Sequence, residues 1–289
     1  MSPGGPDGVA VVDKPAGCTS HDVVARARRS LGTKKVGHAG TLDPDATGVL
    51  VLGVGRATRL LRYVGDLPKT YAGEVVLGVA TSTLDAGGEV VATADMGGVG
   101  LDEVRAAAAG MVGTLEQVPP MVSAVQVSGR RLHELARAGV EVERQARTVT
   151  VWRFDVVEAV EPGVFRVAVE CSSGTYVRSL AADLGEALGG VAHLRRLRRT
   201  AVGPFTEEQA RPIEELELLA PLAAVAHLPA VAVDEEVAGL VRNGRRLERS
   251  GPTPFPGDGP WAVVGPDGAL LAVYRADGER VRPDVVLGG

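Results

Sequence analysis

The sequence predicts an α+β fold: a mixed, mainly antiparallel sheet flanked by helices, with a small β-rich unit at its C-terminal end. Three observations carry this. Strand-like and helix-like segments are mixed without strict β–α–β alternation. No 20–50-residue period recurs, which argues against a solenoid. After Phe205 the texture changes, and the last 61 residues are rich in Gly and Pro with short strand candidates. The apolar fraction of 45% is enough for a well-packed core, and with 23% charged residues it excludes global disorder.

Each element follows from local pattern. Residues 1–8 are expected to form a loose tail. VAVV (9–12) reads as a buried strand. Ser20 is a candidate N-cap for a helix through Leu31, with Val23, Val24, Ala27 and Leu31 on one face. Residues 37–55, which include five Gly, read as a structured loop feeding a strand. Residues 71–80 read as a strand, and 81–91 as a turn and return strand. LDEVRAAAAGMV (101–112) is a helix candidate. SAVQV (123–127) reads as a strand, followed by a short basic helix closed by Gly139. Residues 148–160 and 164–171 are strand-like; in the second, Phe165, Val167, Val169 and Cys171 alternate with Arg166, Ala168 and Glu170. Leu180, Ala181, Leu184, Ala187 and Leu188 predict a helix over 178–188. The stretch after Phe205 reads as a helix and then an apolar linker, with a domain boundary near residue 228. Asp234 can cap a helix ending at Asn243-Gly244, and 261–265 and 269–276 read as strands.

Composition excludes several classes. No apolar run approaches the roughly 18–20 residues of a membrane span, and the start lacks a signal-peptide pattern. Cys18 and Cys171 are the only cysteines, so neither a disulfide framework nor a CxxC metal site is expected. A reduced, cytoplasmic protein follows. The motifs GxxxxGK[ST], GxGxxG opening a βαβ unit, HExxH and GxSxG are absent. Ser20-His21-Asp22 holds triad residue types, but contiguous residues on one helical turn cannot make triad geometry. With 31 basic and 36 acidic residues the net charge is −5, which on average argues against a polyanionic partner.

Four clusters could carry chemistry. GHAGTLDPDATG (37–48) sets Asp43 before Pro44, biasing it to extended backbone, and flanking glycines permit close approach of a ligand. The loop could fix a carboxylate and the imidazole of His38; an ordinary Asx turn reads the same pattern. Lys69-Thr70-Tyr71 heads a strand, where an aromatic could stack on a base or pass a proton, or simply lie half-buried. In CSSGTYVR (171–178), Gly174 breaks a strand and Arg178 opens a helix, where it could pair with a carboxylate and hold its pKa low, or snorkel to solvent. HLRRLRR (193–199) reads as a basic helix. Leu194 and Leu197 bury at i, i+3, while Arg195, Arg196, Arg198 and Arg199 meet solvent or phosphate.

Five ordered segments, DKPAGCTSHDVV (13–24), GHAGTLDPDATGVLVLGVGRATRL (37–60), KTYAGEVVLGVATSTLDAGGEV (69–90), VPPMVSAVQVSGRRLHELARAG (118–139) and SSGTYVRSLAADLGEALGGVAHLRRLRRTAVGPF (172–205), resemble the TruB family of pseudouridine synthases. These are bacterial enzymes that modify uridine 55 in the T-arm of tRNA. The resemblance spans residues 8–205. It implies the pseudouridine synthase fold, with an RNA-binding cleft across a long, mainly antiparallel sheet. It implies that Asp43 of GTLDP is the nucleophile, attacking base or sugar while the glycosidic bond breaks, uracil turns over and a C–C bond forms. By the same resemblance Arg178 pairs with Asp43, and Tyr71 stacks on the target base and is a candidate for handling the C5 proton. Tyr176 and Leu197 line the uracil pocket, His38 occupies space near the extruded nucleotides, and Lys14 has a structural or RNA-side role.

The implied reaction is redox-neutral, so neither metal nor cofactor is expected. The implied partner is a tRNA T-arm stem-loop whose target must be flipped out, bound by a monomer without an obligate protein partner. Residues 9–228 would be the catalytic domain and 229–289 a PUA-like RNA-binding domain, the latter from size and β character alone. Val122 departs from the Tyr usual in the family. A non-catalytic tRNA-folding chaperone is the alternative reading, since it would use the same basic segment and stacking Tyr. Relatives in eukaryotes act with guide RNA; the compact length and absent Lys-rich tails favour a stand-alone enzyme. Charge is also uneven. Basic residues outnumber acidic ones nine to six over 1–66 and six to four over 171–212, and are outnumbered nine to fourteen over 67–170 and seven to twelve over 213–289. A basic cleft on an acidic scaffold is expected.

Overall fold

The computed structural model describes residues 5–121, 126–127, 130–131, 144–251 and 253–287. Strand β1 (Gly8–Lys14) is an almost wholly buried apolar run. Structure begins before residue 9, since Gly8 lies in β1 and Asp7 pairs with Arg56 at 2.5 Å. Helix α1 (Ser20–Ser30) is capped by Thr19, not by Ser20. Thr19 Oγ1 accepts from the Asp22 N–H at 3.1 Å, and the Asp22 carboxylate accepts from the Thr19 N–H at 2.8 Å. The Ser20 hydroxyl turns inward instead.

The chain continues through β2 (Val36–His38) and β3 (Thr47–Val54), which flank the Gly-rich loop. A 3-10 turn leads into α2 (Leu61–Gly65) and β4 (Lys69–Leu77). Then come the hairpin of β5 (Val79–Thr81) and β6 (Val90–Thr93), α3 (Leu101–Ala109) and β7 (Gly113–Gln117). Two-residue strands β8 (Gln126–Val127) and β9 (Arg130–Arg131) pair with each other. Arg130 and Arg131 are therefore extended and do not start the expected helix, whose remainder, like Val122, lies outside the described residues. After them come β10 (Arg147–Glu161), β11 (Val164–Cys171), α4 (Val177–Ala187), β12 (Ala192–Val202) and β13 (Phe205–Thr206).

Among the described residues nine strands make one sheet. Its path is β1-β3-β12-β4-β11-β10-β7, with β2 on β3 and β13 on β12. Every neighbour is antiparallel except β3–β12. That contact sets Arg199 opposite Gly48, while the antiparallel contact on the other side sets Arg199 opposite Tyr71. Leu180, Ala181 and Leu184 of α4 bury against Val167, Val169 and Leu194 on the sheet; at about 25 cal/mol per Å² this apolar burial is what holds the helix start in place.

Two expectations fail here. HLRRLRR is strand, not helix: the i, i+3 spacing of Leu194 and Leu197 arises from a register shift between Arg195 and Arg198, with Arg196 at φ +52°. The stretch after Phe205 forms only 3-10 turns at Ile213–Glu215 and Pro221–Val225, because Pro212 and Pro221 interrupt any longer helix.

A second sheet holds β14 (Ala230–Ala232), β15 (Leu247–Glu248), β16 (Trp261–Val264), β17 (Leu270–Asp277) and β18 (Arg280–Val286), in the order β14-β16-β17-β18-β15. Its helix α5 (Glu235–Arg242) is capped as expected, Asp234 accepting from the Val237 N–H at 2.9 Å. The unit is more than an appendage. Ala262, Leu270, Val273, Val285 and Leu287 share one apolar cluster with Val9, Val49, Leu60 and Phe205. Arg56 and Arg59 on the 3-10 turn and Arg62 in α2, three apart, reach Leu287 O, Val286 O and Asp284.

Gly48 is one position where glycine is required. Its φ is +99°, and a Cβ there would sit 2.2 Å from Arg199 O. Gly48→Ala is expected to destabilise the fold by about 2–4 kcal/mol, read as a lower midpoint in denaturant unfolding.

Candidate active site

The loop between β2 and β3 carries Asp43, and four anchors hold its backbone. Ser20 Oγ accepts from the Leu42 N–H at 2.9 Å. Lys14 Nζ and the Gly17 N–H donate to Pro44 O at 2.9 and 3.0 Å. Arg199 donates to Gly40 O at 3.2 Å and Thr41 O at 3.5 Å. Leu42 and Ala46 bury on either side. With both neighbours pinned, the Asp43 side chain has a fixed aim.

Arg178, at the start of α4, meets that side chain with a two-toothed fork. Its Nε lies 2.9 Å from Asp43 Oδ2, and its Nη2 donates to Asp43 Oδ1 at 3.1 Å. The guanidinium is itself fixed: Nη1 donates to Thr83 O at 2.7 Å and lies 3.6 Å from Asp85 Oδ2. The Arg178 side chain is 4% exposed and that of Asp43 39% exposed, so the pair sits at the floor of a cleft with the carboxylate facing its mouth. The expectation that Arg178 holds the Asp43 pKa low needs correction. Protein packed around the carboxylate raises its pKa, the Asp85 charge raises it further, and together they outweigh Arg178.

Two adjoining cavities of about 340 and 270 Å³ share Asp43, Arg178 and Leu197 in their walls. Tyr71 and Tyr176 line the second, so the structure brings Asp43, Tyr71, Arg178, Tyr176 and Leu197 into one cleft. Tyr176 is set by Gln117 of β7, which accepts from the Tyr176 N–H at 2.7 Å and donates to its carbonyl at 3.1 Å. Burial pushes the Tyr71 hydroxyl up from its ordinary value, opposed by the positive charge of Arg199. The arrangement offers a carboxylate held by a fork, an aromatic hydroxyl and an apolar wall, which suits a planar polar base.

His38 lies outside the lining of both cavities. It is half-buried on β2, edge-on to His21 with ring centroids 5.3 Å apart, and burial holds its pKa below the ordinary imidazole value. Of the two roles expected for Lys14, structural or RNA-side, its placement fits the structural one and not a direct contact with substrate. Its ammonium is buried, and its hydrogen bonds go to Pro15 O, Cys18 O and Pro44 O. The four arginines of β12 do not form one solvent-facing row. Arg195 pairs with Glu74 and Glu161, and Arg198 with Asp13 and Glu207. Arg199 is 1% exposed and cannot reach a phosphate at the surface. Arg196, 71% exposed with Glu74 at 3.3 Å, is the most open to a polyanion. Acids 74 and 161 lie far away in sequence, which is why local reading missed these pairs.

Sequence reasoning also missed Asp85, which shares Arg178 with Asp43, and the burial of Lys69, whose ammonium is tied to the carbonyls of Gly65 and Leu67. Lys69 is singled out together with Thr70 and Tyr71, but nothing in its spacing signals burial. Among the described residues no helix is long and apolar enough to cross a membrane, and no group of three or more His, Cys, Asp or Glu could hold a metal ion.

Comparison with known proteins shows what the chain is similar to. Residues 28–177 match the N-terminal domain of TruB family pseudouridylate synthases. Residues 178–225 match a tRNA pseudouridylate synthase B C-terminal domain, and 228–288 the C-terminal part of tRNA pseudouridine synthase II. A protein of Rhodococcus jostii (strain RHA1), named tRNA pseudouridine synthase B, is 50% identical over 290 residues, covering 97% of this chain and 93% of that one. A protein of the same name from Arthrobacter sp. (strain FB24) is 48% identical over 294 residues, covering 96% of each. Among solved structures, an H/ACA RNP bound to a substrate RNA containing 2'-deoxyuridine matches with a TM-score of 0.74 at 25% identity, over 98% of this chain and 85% of that one. With family domains matched along nearly all its length and half its residues shared with one relative, the chain belongs to the TruB family of pseudouridylate synthases.

Proposed function

We propose that this protein converts uridine 55 in the T-loop of tRNA to pseudouridine, with Asp43 as its nucleophile. The tRNA substrate is taken from the name its relatives carry, tRNA pseudouridine synthase B. The observation that carries the chemistry is the Asp43–Arg178 fork on the floor of the cleft. A carboxyl group is a nucleophile only when ionised and aimed; the fork aims it, and its positive charge opposes the rise in pKa that burial causes. The target leaves the base stack and enters the cleft between Tyr71 and Leu197. Asp43 adds as the N1–C1′ bond breaks, the freed uracil turns, and the C5–C1′ bond forms as Asp43 departs. The C5 proton leaves to a base, a role assigned to Tyr71, and N1 regains a proton. No electrons are gained or lost, so the reaction needs no redox partner.

In this reading the protein acts as a cytoplasmic monomer on tRNA, without a protein partner. Arg196 contacts the RNA backbone, His38 stands near the displaced nucleotides, and residues 229–289 add RNA-binding surface. The test is label release. An unmodified T-arm stem-loop tritiated at uridine C5 should lose label to water in step with enzyme turnover. RNA refolding without label release would favour the tRNA-folding chaperone.

A further inference from the structure

Arg199 is among the bulkiest fully buried side chains, at 1% exposure. Burying a guanidinium costs several kcal/mol unless it is well partnered. Its hydrogen bonds go to neutral groups: Nε to Val49 O at 2.7 Å, Nη2 to Gly40 O at 3.2 Å and Nη1 to Thr41 O at 3.5 Å. Those three carbonyls lie on both sides of Asp43, two before it in the loop and one just beyond it in β3. Tyr71 stands directly across the β4–β12 pairing from Arg199, so the two side chains share a face of the sheet and one cavity wall. The buried cation thus joins the two chemical halves of the cleft.

We infer that Arg199 is a positioning residue that clamps the Asp43 loop and holds a positive charge beside Tyr71, so that Tyr71, once its own hydroxyl proton has passed to solvent, can take the C5 proton on its phenolate oxygen. This rests on the proposed isomerisation and on the base role of Tyr71. Burial disfavours the phenolate, and Arg199 opposes that effect. The other titratable or charged groups around Tyr71 are Asp43 of the loop, Cys171 of β11, Lys69 of β4, and Tyr176 and Arg178 at the start of α4. Asp43 and Cys171 disfavour the phenolate, which leaves the cation to compensate. Burial pushes Lys69 down to about 8 and the Cys171 thiol up to about 11.

The test is the single-turnover rate against pH on a T-arm stem-loop, with KM and Tm measured alongside. Arg199→Gln keeps a hydrogen-bond donor and loses the charge; Arg199→Lys keeps the charge and loses the fork. Arg199→Gln is expected to lower the rate about 10²-fold with KM within about threefold, and to move the alkaline-rising limb to higher pH. Arg199→Lys is expected to recover part of the rate and keep the limb near its wild-type position. Equal losses in both variants with an unmoved limb would make Arg199 a packing residue and overturn the inference. Tyr71→Phe separates the layers. Full activity there removes the base role of Tyr71, and absence of product from the wild type removes the isomerase reading. An inactive Tyr71→Phe with an unmoved limb in Arg199→Gln removes the Arg199 inference alone.

Discussion

Asp43→Asn is expected to abolish product formation, by at least about 10⁴-fold, while tRNA binding stays within about threefold, since phosphate contacts do not need the carboxylate. The fold should survive, because Arg178 keeps Thr83 O and Asp85 as partners. Stability should also change with pH in a definite direction. The Asp43 carboxyl has a raised pKa in the folded protein, so between 3.8 and that raised value the folded state keeps a proton the unfolded chain has released. Folding stability therefore falls as pH rises through this window and stays lower above it. The amide removes that contribution. The Tm of the variant minus that of the wild type should grow as pH rises from 3.8 and then level off; a difference that shrinks would contradict the burial argument. Wild-type turnover should fall as pH drops through the same raised pKa.

Arg178→Met is the second large effect, with the single-turnover rate expected to drop about 10³-fold. Its loss leaves the Asp43 and Asp85 carboxylates facing each other without the intervening cation. The acid limb of the rate profile should then move to higher pH, because Arg178 is the chief influence lowering the Asp43 pKa. Arg178→Lys should recover part of the rate, since an ammonium keeps the charge without the planar fork. The fold should lose about 2 kcal/mol, less than for a fully buried pair because Asp43 remains 39% exposed. A rate loss explained wholly by weaker RNA binding would place Arg178 on the substrate side and not on the nucleophile.

Much of this architecture is legible in the sequence because its signals are local. The alternation in VFRVAVEC gives β11 its observed bounds, and Asp234 caps α5 as its position implies. The misreadings are equally physical. Leu194 and Leu197 fit helical spacing, and the irregular register of β12 that reproduces it within a strand leaves no sequence mark. Two prolines, not a weak apolar pattern, cut the stretch after Phe205 into turns. The site divides the same way. Asp43, Tyr71, Arg178, Tyr176 and Leu197 could be singled out by motif, and they line one cleft. The partners of β12's arginines, the inward turn of Ser20 and the burial of Lys14, Lys69 and Arg199 depend on residues brought together only by folding. A count of basic residues could not tell Arg199, buried across the strand pairing from Tyr71, from Arg196 at the surface.

The most direct measurement is incubation of the purified protein with unmodified tRNA transcript, followed by mapping of pseudouridine along the RNA. The account predicts one pseudouridine, at the T-loop uridine 55, formed by the wild type and missing with Asp43→Asn. Pseudouridine formed by Asp43→Asn, or formed by the wild type only at other positions, would contradict it.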